Sequence, residues 1–159
     1  MNKLPRKRLV LIVTAALLLT GGGIAFAYWS AGGAGTGSAT TGTNVAITAV
    51  QTSSVINMGP GDSAQTLSGN FTNTNSGPVY VTNVVASIAS VTKAGGAPAG
   101  TCDSTDYTLA NATMTVNAEV ASGTGVGAWT GATIKFNDKV ATLQDACKGA
   151  TVNIAYVVN

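Results

Sequence analysis

The chain has 159 residues, room for a targeting segment and one domain with a single core but not for two full domains. Only 9% of its residues are charged, against roughly 25% in an ordinary soluble domain, so its polarity comes from the hydroxyls and amides of a sequence that also holds 20 glycines. The formal charge of +2 is misleading, because Lys3, Arg6, Lys7 and Arg8 open the chain; beyond them four lysines face six acidic residues, which leaves no basic patch for a phosphate backbone and argues against nucleic acid as a partner.

Residues 1–27 read as an N-terminal signal-peptide helix. MNKLPRKR is a basic n-region, LVLIVTAALLLTGGGIAFA is apolar, and Ala25 and Ala27 supply the small residues a signal peptidase recognises, so cleavage is expected after Ala27. The alternative is an uncleaved anchor, since Leu9 to Ala27 would nearly cross the roughly 30 Å hydrocarbon core of a bilayer. Lys7 separates Arg6 from Arg8, Tyr28 stands where a type IV prepilin needs Glu, and AYVVN carries no sortase motif. Export by the general route without a covalent wall anchor is the expectation, and the protein is expected to be secreted or held at the cell surface.

Residues 28–43 are expected to form a flexible Gly/Ser/Thr tail led by Tyr28 and Trp29. Two large aromatics at a mature N-terminus are candidate self-association residues. The competing readings are that they pack on their own domain, serve the peptidase alone, or sit at a membrane interface if the segment is retained.

From residue 44 to 159 strand periodicity dominates. NVAITAV sets Val45, Ile47 and Ala49 on one side, and QTLSGNF brings Leu67 and Phe71 together. VYVTNVVASIASV slips phase near Asn83, as one bulged strand or two. ATMTVNAEV alternates Met114, Val116, Ala118 and Val120 with polar residues, ATIKF pairs Ile134 with Phe136, and TVNIAYVV gives one strongly apolar face. Turns are expected at Met58 to Asp62, Asn73 to Pro78, Ala94 to Gly100 and Ser122 to Gly127, and KVATLQDAC suits one or two helical turns. Seven or eight short strands at this spacing predict an all-β, immunoglobulin-like antiparallel sandwich.

Cys102 and Cys147, in a chain with export signals, are expected to form one structural disulfide; no CxxC spacing and no histidine support a redox or metal site. The missing histidine also removes the commonest general base, and no HExxH, GxSxG or phosphate loop replaces it, so neither an enzyme nor a cofactor is expected. Asp103 and Asp106 in CDSTD are candidate calcium ligands, but two carboxylates and two hydroxyls fall short of the six to eight oxygens calcium takes, and a solvated turn is the preferred reading. The sequons at Asn70 and Asn111 are given no role.

The junction GIAFAYWSAGGAGTGSATT, the segment NTNSGPVYVTNV, CDSTDYTL and the closing QDACKGATVNIAYVV resemble a group of secreted β-sandwich proteins from Gram-positive bacteria, chiefly actinobacteria and mostly uncharacterised. The junction alone is similar to that of TasA/camelysin-type proteins, whose best-known members form extracellular fibres. The resemblance implies a subunit of an extracellular fibre or matrix. The metalloprotease label attached to camelysins does not carry over to a chain without histidine.

The leading expectation is therefore a structural or interaction protein whose partner is itself, as oligomer or filament, or another envelope component, with membrane contact only through an uncleaved N-terminus. The alternative is a non-catalytic glycan-binding module, which needs exposed aromatics; among Tyr80, Tyr107, Trp129 and Tyr156, Trp129 in GVGAWTGA is the one expected at the surface.

Overall fold

The computed structural model describes residue 32 and residues 34–159; the expected signal helix, Ala25, Ala27, Tyr28 and Trp29 lie outside them. The chain divides into two units, Met1–Thr41 and Gly42–Asn159. In the first, the described residues are exposed and belong to no helix or strand.

The second is the sandwich expected from the alternating pattern. Its strands are β1 (Thr48–Gln51), β2 (Gln65–Asn73), β3 (Val79–Thr92), β4 (Tyr107–Ala110), β5 (Thr113–Val120), β6 (Gly123–Phe136) and β7 (Thr151–Val158). One sheet has the order β1-β2-β6-β4 and the other β5-β3-β7, with every pairing antiparallel. The inward residues of both sheets form one core, with Leu67, Phe71, Val81, Val84, Met114 and Ile134 almost fully buried. Burying each such side chain contributes about 1.5–3 kcal/mol before entropy is counted, so the core is the main source of stability.

β3 is a single strand whose pairing with β5 shifts between Val81 and Asn83, where the sequence slips phase. The extra residue belongs to β5, at whose Asn117 φ is 46°, and the slip turns Ala118, expected inside, to the surface. Val45, also expected inside, is 65% exposed. Its backbone is fastened instead, N–H to Asn75 Oδ1 at 2.7 Å and carbonyl to Asn75 Nδ2 at 2.8 Å.

The glycine run expected as a turn at Ser122 to Gly127 is instead the first third of β6. Three register shifts against β2 each place an extra residue on β6, at positions that coincide with Gly125, Gly127 and Gly131, all at positive φ. Glycine is the residue that takes this conformation without a Cβ penalty, so the run serves bulges within a strand rather than a reversal. The helical turns expected in KVATLQDAC reduce to one 3-10 turn, Asp145–Cys147.

The strands define two ends and two sides. At one end the short connections 74–78 and 121–122 meet; at the other the long segments 93–106 and 137–150 meet and are joined by the disulfide. One side is closed where β4 passes directly into β5. The other lies between β1 and β7, and there β1 is only four residues long.

Candidate interaction surface

The residues singled out by chemistry serve the disulfide end. Cys102 and Cys147 are bonded at 2.05 Å with Cα atoms 5.1 Å apart. Such a bond belongs to an oxidising compartment, and no helix among the described residues is long and apolar enough to cross a membrane. Asp103 caps the 3-10 turn Ser104–Asp106, accepting from the Thr105 N–H at 2.8 Å and the Thr105 hydroxyl at 2.6 Å, bonds that hold its carboxyl below the usual range. Asp106 is 4% exposed and accepts from the Asp103 N–H, Gln144 Nε2 and Lys139 Nζ, the last at 2.8 Å. Burial pushes Asp106 up, but those three partners outweigh it and hold the carboxyl below its ordinary value.

The two carboxylates thus face donors already supplied by the protein rather than one another across an open cage. Asp106 also lies near the sulfurs of Cys102 and Cys147, but these are bonded to each other and present no thiolate to a metal.

Trp129 corrects an expectation. It is 2% exposed, its Nε1–H donates to the Asn70 carbonyl at 2.9 Å, and its ring lies 4.6 Å from that of Tyr156. GVGAWTGA looks like a surface loop because small residues surround the indole. Its glycines serve the β6 bulges, and the room for the ring is made on β2, where a Cβ on Gly69 would overlap the Val50 carbonyl oxygen and the Trp129 ring. Tyr107 is buried against Phe136, and Tyr156 is half-buried, donating to Gln51 Oε1 at 2.6 Å, with burial raising its hydroxyl to about 12. Tyr80, 59% exposed, is the remaining surface aromatic of the four. Asn70 sits within β2, and Asn111 on the exposed connection between β4 and β5 at φ 51°.

What the sequence reading did not single out is the side between β1 and β7. β7 bonds to β3 alone, so alternate N–H and C=O groups along Thr151–Val158 face away from the sheet. The other edges are blunted: β1 and β4 have four residues each, and β5 carries Glu119 and the Asn117 bulge. β7 has eight residues with no charge and no proline. Its sequence, TVNIAYVV, held this signal, but only the sheet order makes it an edge.

Beside β7 the sandwich is open. A cavity of about 390 Å3 lies between the segment 51–58 and the first half of β7, lined by Val55, Met58, Tyr107, Ile134, Val152 and Ile154 among others. A second, of about 520 Å3, shares Met58 and Cys147 with it and opens at the disulfide end beside Val140 and Leu143, which are 95% and 89% exposed. The two form a groove of mixed lining, in which Gln51, Asn57 and Thr151 stand among the apolar side chains, where a longer β1 would otherwise run. Compared with known protein families, curated proteins and solved structures, the chain matches none.

Proposed function

We propose that the protein is a secreted or cell-surface structural subunit that assembles with copies of itself, as in an extracellular fibre or matrix. The observation that carries this reading is β7, an unblunted eight-residue edge strand beside an open groove that Val55, Met58, Val152 and Ile154 line in part. An extended segment added to such an edge gains main-chain hydrogen bonds, and its alternate side chains enter the groove. The resemblance of the N-terminal junction to that of fibre-forming proteins supports the same reading.

The tail is the occupant this arrangement suits. Val45 is fastened to Asn75 at the end opposite the disulfide, whereas the groove opens toward the disulfide end. A tail that reaches the groove of the next copy makes a head-to-tail contact, which extends into a filament when the rotation does not close a ring. A coil of fourteen residues spans about 20 Å, enough to leave one small domain and touch another. Tyr28 and Trp29 supply large amphipathic side chains, which suit a groove lined by Val55, Met58, Val152 and Ile154 as well as by Gln51 and Thr151. The glycan-binding alternative loses its principal residue with Trp129 buried, and Tyr80 alone makes a poor stacking platform.

Electron microscopy and sedimentation of the mature protein test the reading. Filaments are expected, and they are expected to disappear on deletion of residues 28–43 and on the paired substitution Ala155→Lys and Val157→Lys, which puts charge on exposed positions of the edge while the monomer keeps its β-sheet circular dichroism. A wild-type protein that stays monomeric over the whole accessible concentration range, or variants that assemble as it does, would remove the proposal.

A further inference from the structure

Residues 34–43 are all exposed and belong to no helix or strand. Five of them carry hydroxyls, Thr36, Ser38, Thr40, Thr41 and Thr43, and the other five are Gly or Ala. A Cβ built on Gly35, Gly37 or Gly42 meets open space, and the side-chain hydrogen bonds among the described residues begin only at Val45. The hydroxyls therefore stand exposed, outside any helix or strand, with no bulky or charged neighbour in the segment.

The sandwich carries hydroxyls of the same chemistry in a different setting. Thr66, Thr72, Thr124, Thr130 and Thr133 lie in β2 and β6, the two central strands of the four-stranded sheet. All five backbones are held in the ladder between β2 and β6, and Thr72 and Thr133 are paired on their other side as well. An enzyme that modifies a Ser or Thr must take several residues of acceptor backbone into its own cleft, and a central strand cannot leave its sheet without breaking the fold, whereas residues 34–43 can be taken as they stand.

We infer that residues 34–43 are an O-glycosylation segment, with Thr36, Ser38, Thr40, Thr41 and Thr43 as the acceptors. Segments rich in Ser and Thr, typically with proline, carry such sugars, and residues 34–43 share the hydroxyl content with Gly and Ala in place of proline. In the reaction the hydroxyl oxygen attacks C1 of a phosphate-activated sugar. The oxygen–C1 bond forms, the C1–O(phosphate) bond breaks, the phosphate carrier leaves with the electron pair, and the hydroxyl proton passes to a base of the transferase. No oxidant or reductant is needed. Sugars on this segment hold it extended and shield it from proteases, and neither effect depends on whether copies of the protein assemble.

Intact-mass measurement of the full protein isolated from its own organism tests the assignment. The expected spectrum is a series above the polypeptide mass, stepped by one sugar residue, with fragmentation placing the additions between residues 36 and 43. Replacing the five acceptors together (Thr36→Ala, Ser38→Ala, Thr40→Ala, Thr41→Ala and Thr43→Ala) is expected to collapse the series to the polypeptide mass while thermal unfolding of the sandwich is unchanged, because the substituted residues lie outside its core. A single mass equal to the polypeptide, a series that survives the five substitutions, or sugars mapped to sheet positions such as Thr66 or Thr130 would overturn it.

Discussion

The two ends of the sandwich close their chains by different means. At the disulfide end the segments 93–106 and 137–150 are held by Cys102–Cys147, by the Asp106–Lys139 pair, and by Lys93 donating to the carbonyls of Pro98 and Gly100. All four lysines of the domain lie at or near this end. At the opposite end an uncharged network suffices: Asn73 Nδ2 donates to the carbonyls of Val120 and Gly77, its Oδ1 accepts from the Asn75 backbone and side chain, and the Ser122 hydroxyl donates to the Asn75 carbonyl. The difference follows connection length. Ordering a long segment costs more chain entropy than ordering a tight turn, so 93–106 and 137–150 carry a covalent bond and ions where the short connections need only amides, while 52–64, of similar length, is pinned by the Gln65 amide to Ile56.

The largest expected effect comes from removing the covalent tie. Cys102→Ala with Cys147→Ala is expected to cost on the order of 2–5 kcal/mol in chemical denaturation. Hydrogen exchange should rise mainly in residues 93–106 and 137–150; a uniform rise at both ends would show that the ends are not separate.

Next is Asn73→Ala at the opposite end. Asn73 is 1% exposed, and its loss strands the carbonyl of Val120 and frees the anchor of Asn75. Leaving buried polar groups unpaired costs about 1–3 kcal/mol, so a midpoint shift in that range is expected, with the disulfide end retaining its protection.

Asp106→Asn is the smallest of the three. It removes the charge pair with Lys139, whose side chain is 33% exposed, so solvent screening keeps the loss to roughly 1 kcal/mol. The pH dependence gives an independent check. The Asp106 carboxyl is lowered in the folded state, so its contribution is present above the unfolded value of about 4 and is lost as pH falls through the folded value. Acid unfolding curves of the native protein and of Asp106→Asn are expected to converge below about pH 4; curves that stay parallel would sever the carboxylate from acid stability.

Much of the architecture was legible. Leu67, Phe71, Met114 and Ile134 alternate with polar neighbours because each sheet has one wet face, and that alternation survives in the burial of β2, β5 and β6. The disulfide was legible for a different reason: two cysteines in a chain whose N-terminus reads as an export signal leave one pairing. Less was legible wherever glycine spoke. In β6 it marks bulges and in AGGAPAG a turn, and the two look alike in sequence because both use the same freedom at positive φ.

The candidate site was the least legible part. Nothing within TVNIAYVV distinguishes a central strand from an edge, because each residue's preference depends on its own two faces, whereas edge status depends on whether another strand lies alongside. Trp129 shows the same limit from the other side: GVGAWTGA has the composition of a surface loop, and only the opposing Gly69 and Tyr156 make it a buried seat. The sequence by itself determined the all-β class, the sandwich, the disulfide and the low-charge surface, because these follow from periodicity, composition and pair counting. The tertiary structure alone decided which edge stays unpaired, where the groove opens and which hydroxyls are free of the ladder, because these depend on contacts between residues far apart in the chain, and no local pattern encodes a neighbour that is missing.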